Sequence, residues 1–154
     1  MNRFAAGVIG GLIAGVATTA VMTAGRKSGL LGKTLDRDAV DWIDRNTGSR
    51  DAIGEAGTSA VEFANHLGAS AAFGAGYSEL RRRFPDVPPL GLAALYGAGL
   101  YAMNIAGVAP LLGITEGEVE AGPRKAGERL AVHLLQTVVT ALVAERLAPE
   151  GESA

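Results

Sequence analysis

The chain contains no cysteine. That removes disulfides, thiol catalysis and thiolate metal sites together, and it leaves the redox compartment unread. There is also no excess of either charge: 14 basic residues face 16 acidic ones, for a net charge of −2. A chain so balanced lacks the electrostatic footprint of a nucleic-acid partner. Charge itself is scarce, at 19% of residues, below the usual share. No serine stands in a visible partnership with an aspartate and a histidine, and no glycine-rich phosphate loop follows a strand, so the sequence leans away from an enzyme.

Glycine is what the chain has in abundance, with 22 in 154 residues. Glycine at that frequency fits disorder, repeats or closely packed membrane helices, and a hydrophobic share of 48% argues against disorder. The charges are unevenly placed. Phe4 to Gly25 has none, a run of about 33 Å as a helix, close to the hydrocarbon thickness of a bilayer. Val87 to Thr115 is a second uncharged run. Two shorter ones, Phe63–Ser78 and Leu130–Ala144, need neighbours whose Arg and Glu side chains reach the interface.

The expected fold is therefore all-α: one domain over residues 1–154, with four transmembrane helices at about 4–25, 60–80, 88–113 and 129–147. A soluble helical bundle, with an enzyme among its roles, is the competing reading, and a mean hydropathy of +0.22 is modest for a membrane protein. A cleaved signal peptide at residues 1–25 competes less well, because the apolar stretch exceeds the usual signal-peptide core. Most Lys and Arg fall in the first and third connections, yet Arg81–Arg83 crowd the second. The positive-inside rule leaves the orientation open.

Gly7, Gly11 and Gly15 recur every four residues, the spacing that lets two membrane helices approach closely. Gly97 shares a face of the third span with Tyr101 and Asn104, and Pro110 should kink or end that span. In the first connection, "TLDRDAVDWIDRNTG" predicts a short amphipathic helix at about 35–47. Thr34 is its N-cap, Asp36 and Asp38 suit its first turn, and Gly48 suits its stop. With Trp42, the only tryptophan, on its apolar side, it would lie at the bilayer interface or cap the bundle.

Polar side chains inside spans usually face the bundle interior. On the second span His66, Ser70 and Tyr77 fall within one arc; on the fourth, His133, Gln136, Thr137 and Thr140 do the same. The two histidines are expected at one depth and facing each other, joined by Tyr101 and Asn104 in an interior polar cluster. Three roles compete: a structural lock, a titrating pair in a proton or small-solute pathway of an oligomer, and a ligand site. In the last, His66 and His133, with Glu62 as a possible third ligand, would hold haem or a divalent metal ion. No cofactor is the primary expectation. The partners expected are the lipid bilayer and further copies of the chain.

The order of these residues resembles the YagU-type family of small bacterial inner-membrane proteins. The likeness rests on the glycine-rich first helix and on "H…FG..Y" (His66, Phe73, Gly74, Tyr77). It continues in "YG…Y..N…..P..G" (Tyr96, Gly97, Tyr101, Asn104, Pro110, Gly113) and in a histidine, His133, opening the last helix. It covers most of the chain outside the Asp-rich connection and the tail. After His133 the sequence runs "LLQTVV" where the family pattern has a glycine one turn on. The resemblance implies a multi-pass protein of the bacterial inner membrane and supplies no chemistry.

Overall fold

A computed structural model describes residues 1–148; the remaining residues of the expected domain, 149–154, lie outside the described residues. The described chain is all helical. We number five helices: α1 (Arg3–Lys27), α2 (Leu35–Thr47), α3 (Ser49–Arg83), α4 (Pro89–Leu111) and α5 (Glu118–Leu147). Three of them, α1, α4 and α5, are long and apolar enough to cross a membrane.

The packing is inverted relative to a water-soluble bundle. Much of the interior is made of small residues: Ala6, Ala14, Ala93 and Ala141 have no exposed surface, beside a few large side chains such as Tyr77 and Ile105. Many large apolar side chains point outward instead, with Phe4 64%, Leu95 71% and Leu111 86% exposed. Water would penalise that arrangement, whereas lipid does not distinguish a leucine outside from one inside, and small residues bring backbones together.

Helix α1 lies at the centre, between α3 and α5, and α4 packs on the far side of α5. Three of the α1 glycines line the seam with α3. A Cβ at Gly11 would stand 3.0 Å from the Gly74 Cα and overlap the Ser70 carbonyl oxygen; Gly7 meets Gly74 and Ser78, and Gly15 meets Ser70. Gly10, which the four-residue spacing does not single out, faces the other way, its missing Cβ 2.7 Å from the Thr140 carbonyl oxygen of α5. Gly97 of α4 closes on Thr137 and the His133 carbonyl.

The contacts also fix the course of α3. Its Ser78 hydroxyl donates to the Arg3 carbonyl at 2.7 Å, while its His66 ring reaches the Gly15 carbonyl at 3.1 Å. It therefore runs antiparallel to α1 over the same depth. The first and third connections meet at one end, where Arg124 donates to the Leu30 carbonyl and the Gly32 amide to Glu128. At the opposite end, Arg81 in the last turn of α3 binds Glu145 at 3.0 Å and the carbonyls of Phe84, Pro85 and Val87. The buried guanidinium thereby ties the α3–α4 turn to α5.

Local chemistry sets α2. The Thr34 hydroxyl accepts from the Arg37 amide, and Gly48 takes the left-handed conformation (φ 65°) that stops the helix. At the start of α5, Gly122 (φ 81°) breaks the first turn from the rest, just ahead of Pro123. Helix α4 is regular to Leu100 and then widens into a π-helical segment, Tyr101–Val108, where the Ala109 amide donates five residues back to Asn104. It ends at Leu111, one residue past Pro110, which can supply no amide hydrogen.

A polar chain and a cavity at one end of the bundle

His66 is buried except for 14% of its side chain. Its Nδ1 lies 2.9 Å from Asp36 Oδ2 on α2. Its Nε2 lies 3.1 Å from the Gly15 carbonyl and 3.2 Å from the Thr18 hydroxyl, both on α1. Thr18, fully buried, donates to Gln136 Oε1 of α5 at 3.1 Å, and Gln136 Nε2 donates to the Gly11 carbonyl at 3.1 Å. The result is a directional chain from Asp36 through His66, Thr18 and Gln136 to the α1 backbone, crossing four helices. Carbonyl and carboxylate can only accept, so the ring satisfies both neighbours when each nitrogen carries a proton.

His133 does something different. Its Nδ1 donates to the Arg129 carbonyl at 2.9 Å, and its ring meets Tyr101 edge-on at a centroid distance of 6.1 Å. The Tyr101 hydroxyl donates to Glu118 Oε2 at 2.9 Å, and Glu118 Oε1 accepts from Arg129 at 2.7 Å. No hydrogen bond joins the two histidines; among the described residues each has its own partners. They share a cavity of about 420 Å³, to which both rings contribute wall.

The other polar residues of the expected cluster separate. Ser70, Asn104 and Gln136 line the cavity. Tyr77 does not: its hydroxyl is directed to Glu145 (3.4 Å) and the Pro89 carbonyl (3.5 Å), in the Arg81 cluster at the other end. Thr137 and Thr140 are buried, but their hydroxyls donate to carbonyls of their own helix. Glu62 is paired with Arg37 at 3.4 Å. Among the described residues no group of three or more His, Asp or Glu side chains is gathered as a metal site would need.

The sequence alone gives Asp36 a different role. It suits the first turn of an amphipathic helix, where an acid complements the helix dipole, and nothing local says that α2 folds back onto α3. Around it, α2 is held by further ion pairs: Arg37 with Glu55 at 2.6 Å, Arg50 with Asp41 at 2.5 Å and Lys33 with Asp41 at 2.7 Å. Hydrogen bonds from Lys33 and then Arg50 hold the Asp41 carboxyl down at about 2. A depressed carboxylate contributes stability that is fully present above its unfolded value of 3.8 and is lost as pH falls towards about 2. The emission of Trp42, on α2, should accordingly shift in acid between those two values. A variant with Asp41→Asn should already show the shifted emission at neutral pH. An unchanged spectrum in both would mean that these pairs do not hold α2.

All five charged side chains on the cavity wall are already matched within the chain: Lys33 by Asp38 and Asp41, Asp36 by His66, Lys125 by Glu116, Glu128 by Arg124 and Arg129 by Glu118. The rest of the lining is mainly apolar, with Phe73, Ile105 and Val132 among it. The cavity separates α3 from the π-helical segment, and no Cα of one lies within 8 Å of a Cα of the other. Comparison with known protein families, characterised proteins and solved structures found no match.

Proposed function

We propose that the chain is a four-span integral membrane protein that binds a small molecule in the cavity beside His66 and His133, without catalysing a reaction on it. The observation that carries the membrane part is the inverted packing, small residues within and Phe4, Leu95 and Leu111 outside. Helix α3 becomes the fourth span because it runs antiparallel to α1 over the same depth. Its polar face is then turned to α1 and the cavity rather than to lipid. The YagU-type inner membrane is the location this reading favours, with α2 and the third connection together at one surface.

Catalysis is disfavoured by the setting of Thr18. Asp36, His66 and Thr18 stand in the order acid, base, hydroxyl, but the Thr18 hydroxyl is fully buried and engaged with Gln136. Its proton is held by neighbouring oxygens rather than by the histidine, so it is not set up as a nucleophile. A second reading, haem or a metal on His66 and His133, would require His66 to release Asp36 or Gly15; an absorbance spectrum and metal analysis of purified protein decide it.

Membrane residence has a direct test. The protein should remain in the membrane fraction after high-salt and alkaline washing, because spanning helices bury too much apolar surface for charge or pH to release them. The absence of native cysteine makes topology readable as well. Single cysteines at Gly32 and Glu116 should react from one side of the membrane, and one at Asp86 from the other. Release of the chain by alkali, or labelling of all three from one side, would overturn the four-span reading.

A further inference from the structure

Resting on the ligand-cavity reading, we infer that the occupant is an uncharged, lipid-soluble molecule carrying a single hydroxyl head, such as a long-chain alcohol, and that it enters sideways between α3 and the π-helical segment of α4.

The charges on the wall select against an ion. Every ionised side chain there has an opposite partner within the chain, so an ion entering the cavity would find no counter-charge without breaking an existing pair. An unpaired charge in an apolar site is far more costly than an unpaired dipole. A carboxylate or ammonium head is therefore disfavoured, and a neutral one is not.

Of the lining side-chain groups that make no hydrogen bond among the described residues, which include Asn65, Ser70 and Arg129 Nη2, two suit a hydroxyl head. The Asn104 side chain makes no hydrogen bond among the described residues, although it lines the cavity. His133 uses Nδ1 to donate to the Arg129 carbonyl. Its Nε2 is thereby an acceptor, with no protein partner among the described residues. An acceptor and an amide on the walls match a hydroxyl, which donates to the first and accepts from the second. Around them the wall is Phe73, Ile105, Val108 and Val132, suited to a hydrocarbon tail.

The way in is lateral. Helices α3 and α4 diverge where the π-helical turns begin, and the edges of the gap, Asn65 and Val108, are exposed. That opening lies in the long side of the bundle, the side that meets lipid in the proposed orientation. A volume of about 420 Å³ falls within the range of small-molecule sites.

The test uses the whole chain in lipid nanodiscs and a dodecanol bearing a diazirine, with adducts mapped by mass spectrometry. Labelling should saturate and concentrate on residues 65–73 and 104–109. Dodecanol should compete at about a tenfold lower concentration than dodecanoate at alkaline pH, dodecyltrimethylammonium or dodecane, the gap expected for one well-placed hydrogen bond and no stranded charge. Asn104→Ala should narrow the gap between dodecanol and dodecane. Equal or better competition by either ion, or by dodecane, would overturn the neutral-hydroxyl assignment while leaving the cavity reading intact. Non-saturable labelling spread over the outward faces around Phe4 and Leu95 would overturn the cavity reading itself. The competitor series uses the unmodified protein, so its outcome does not depend on whether a variant folds.

Discussion

Replacing Gly11 with leucine should lower the melting temperature in detergent by roughly 10 °C, the order expected when an overpacked site costs a few kcal/mol in a domain of this size. At Gly11 the seam with α3 offers no side chain that could rotate away. The new Cβ would meet the Gly74 Cα at 3.0 Å and the Ser70 carbonyl oxygen more closely still, and both are backbone. The helices must separate, and with them the neighbouring Gly7 and Gly15 contacts. Gly10→Leu should be comparably damaging on the opposite seam, where the obstacle is the Thr140 carbonyl oxygen at 2.7 Å. Two controls isolate the cause. Gly99 has open space around it, so Gly99→Leu should be neutral, since leucine is the better helix former. Leu12, 37% exposed on the outward face, should tolerate truncation to alanine. Equal losses for Gly11→Leu and Gly99→Leu would mean that the close approach of α1 and α3 is not a determinant of stability.

What the sequence made legible was what depends on near neighbours. The caps of α2 lie at Thr34 and Gly48 because capping is decided within one turn. The glycines at 7, 11 and 15 share a face because helical periodicity requires it. The same periodicity misled for Tyr77. It shares a face with His66, but eleven residues along a helix is about 16 Å, so it belongs to the opposite end of the bundle and to Glu145. A stripe specifies a direction from the helix axis and says nothing of depth. The facing of His66 and His133 failed to appear as a hydrogen bond for a related reason: both rings reach the same cavity, but closer partners on other elements occupy them. Gly10 escaped the pattern because only one glycine on that side of α1 carries the contact with α5. The π-helical turns were hidden too, because the wider turn alters the angular spacing on which the face of Asn104 was reckoned.

A contact that no local pattern announces, Asp36 with His66, carries the second large expectation. The pair is mostly shielded, with 20% and 14% of the side chains exposed, and it is the contact between the surface helix α2 and the polar chain inside the bundle. Removing one partner leaves the other desolvated and unmatched. Full burial would make that cost about 3–5 kcal/mol; with this residual exposure, about 2 kcal/mol is the expected loss for either Asp36→Asn or His66→Gln. The double variant should lose little more than either single one, giving a coupling energy of about 1–2 kcal/mol, because once one partner is gone the other has nothing left to contribute. Trp42 emission should shift in both single variants, since α2 then keeps only its ion pairs from Arg37, Asp41 and Asp44 to α3. Additive losses in the double variant, with Trp42 unmoved, would mean that His66 serves the interior chain through Thr18 and Gly15 alone. Asp36 would then be a helix-capping acid, as its position in the sequence first suggests. Coupling with a moved Trp42 would establish the opposite: α2 is clasped over the end of the cavity by the histidine on its wall.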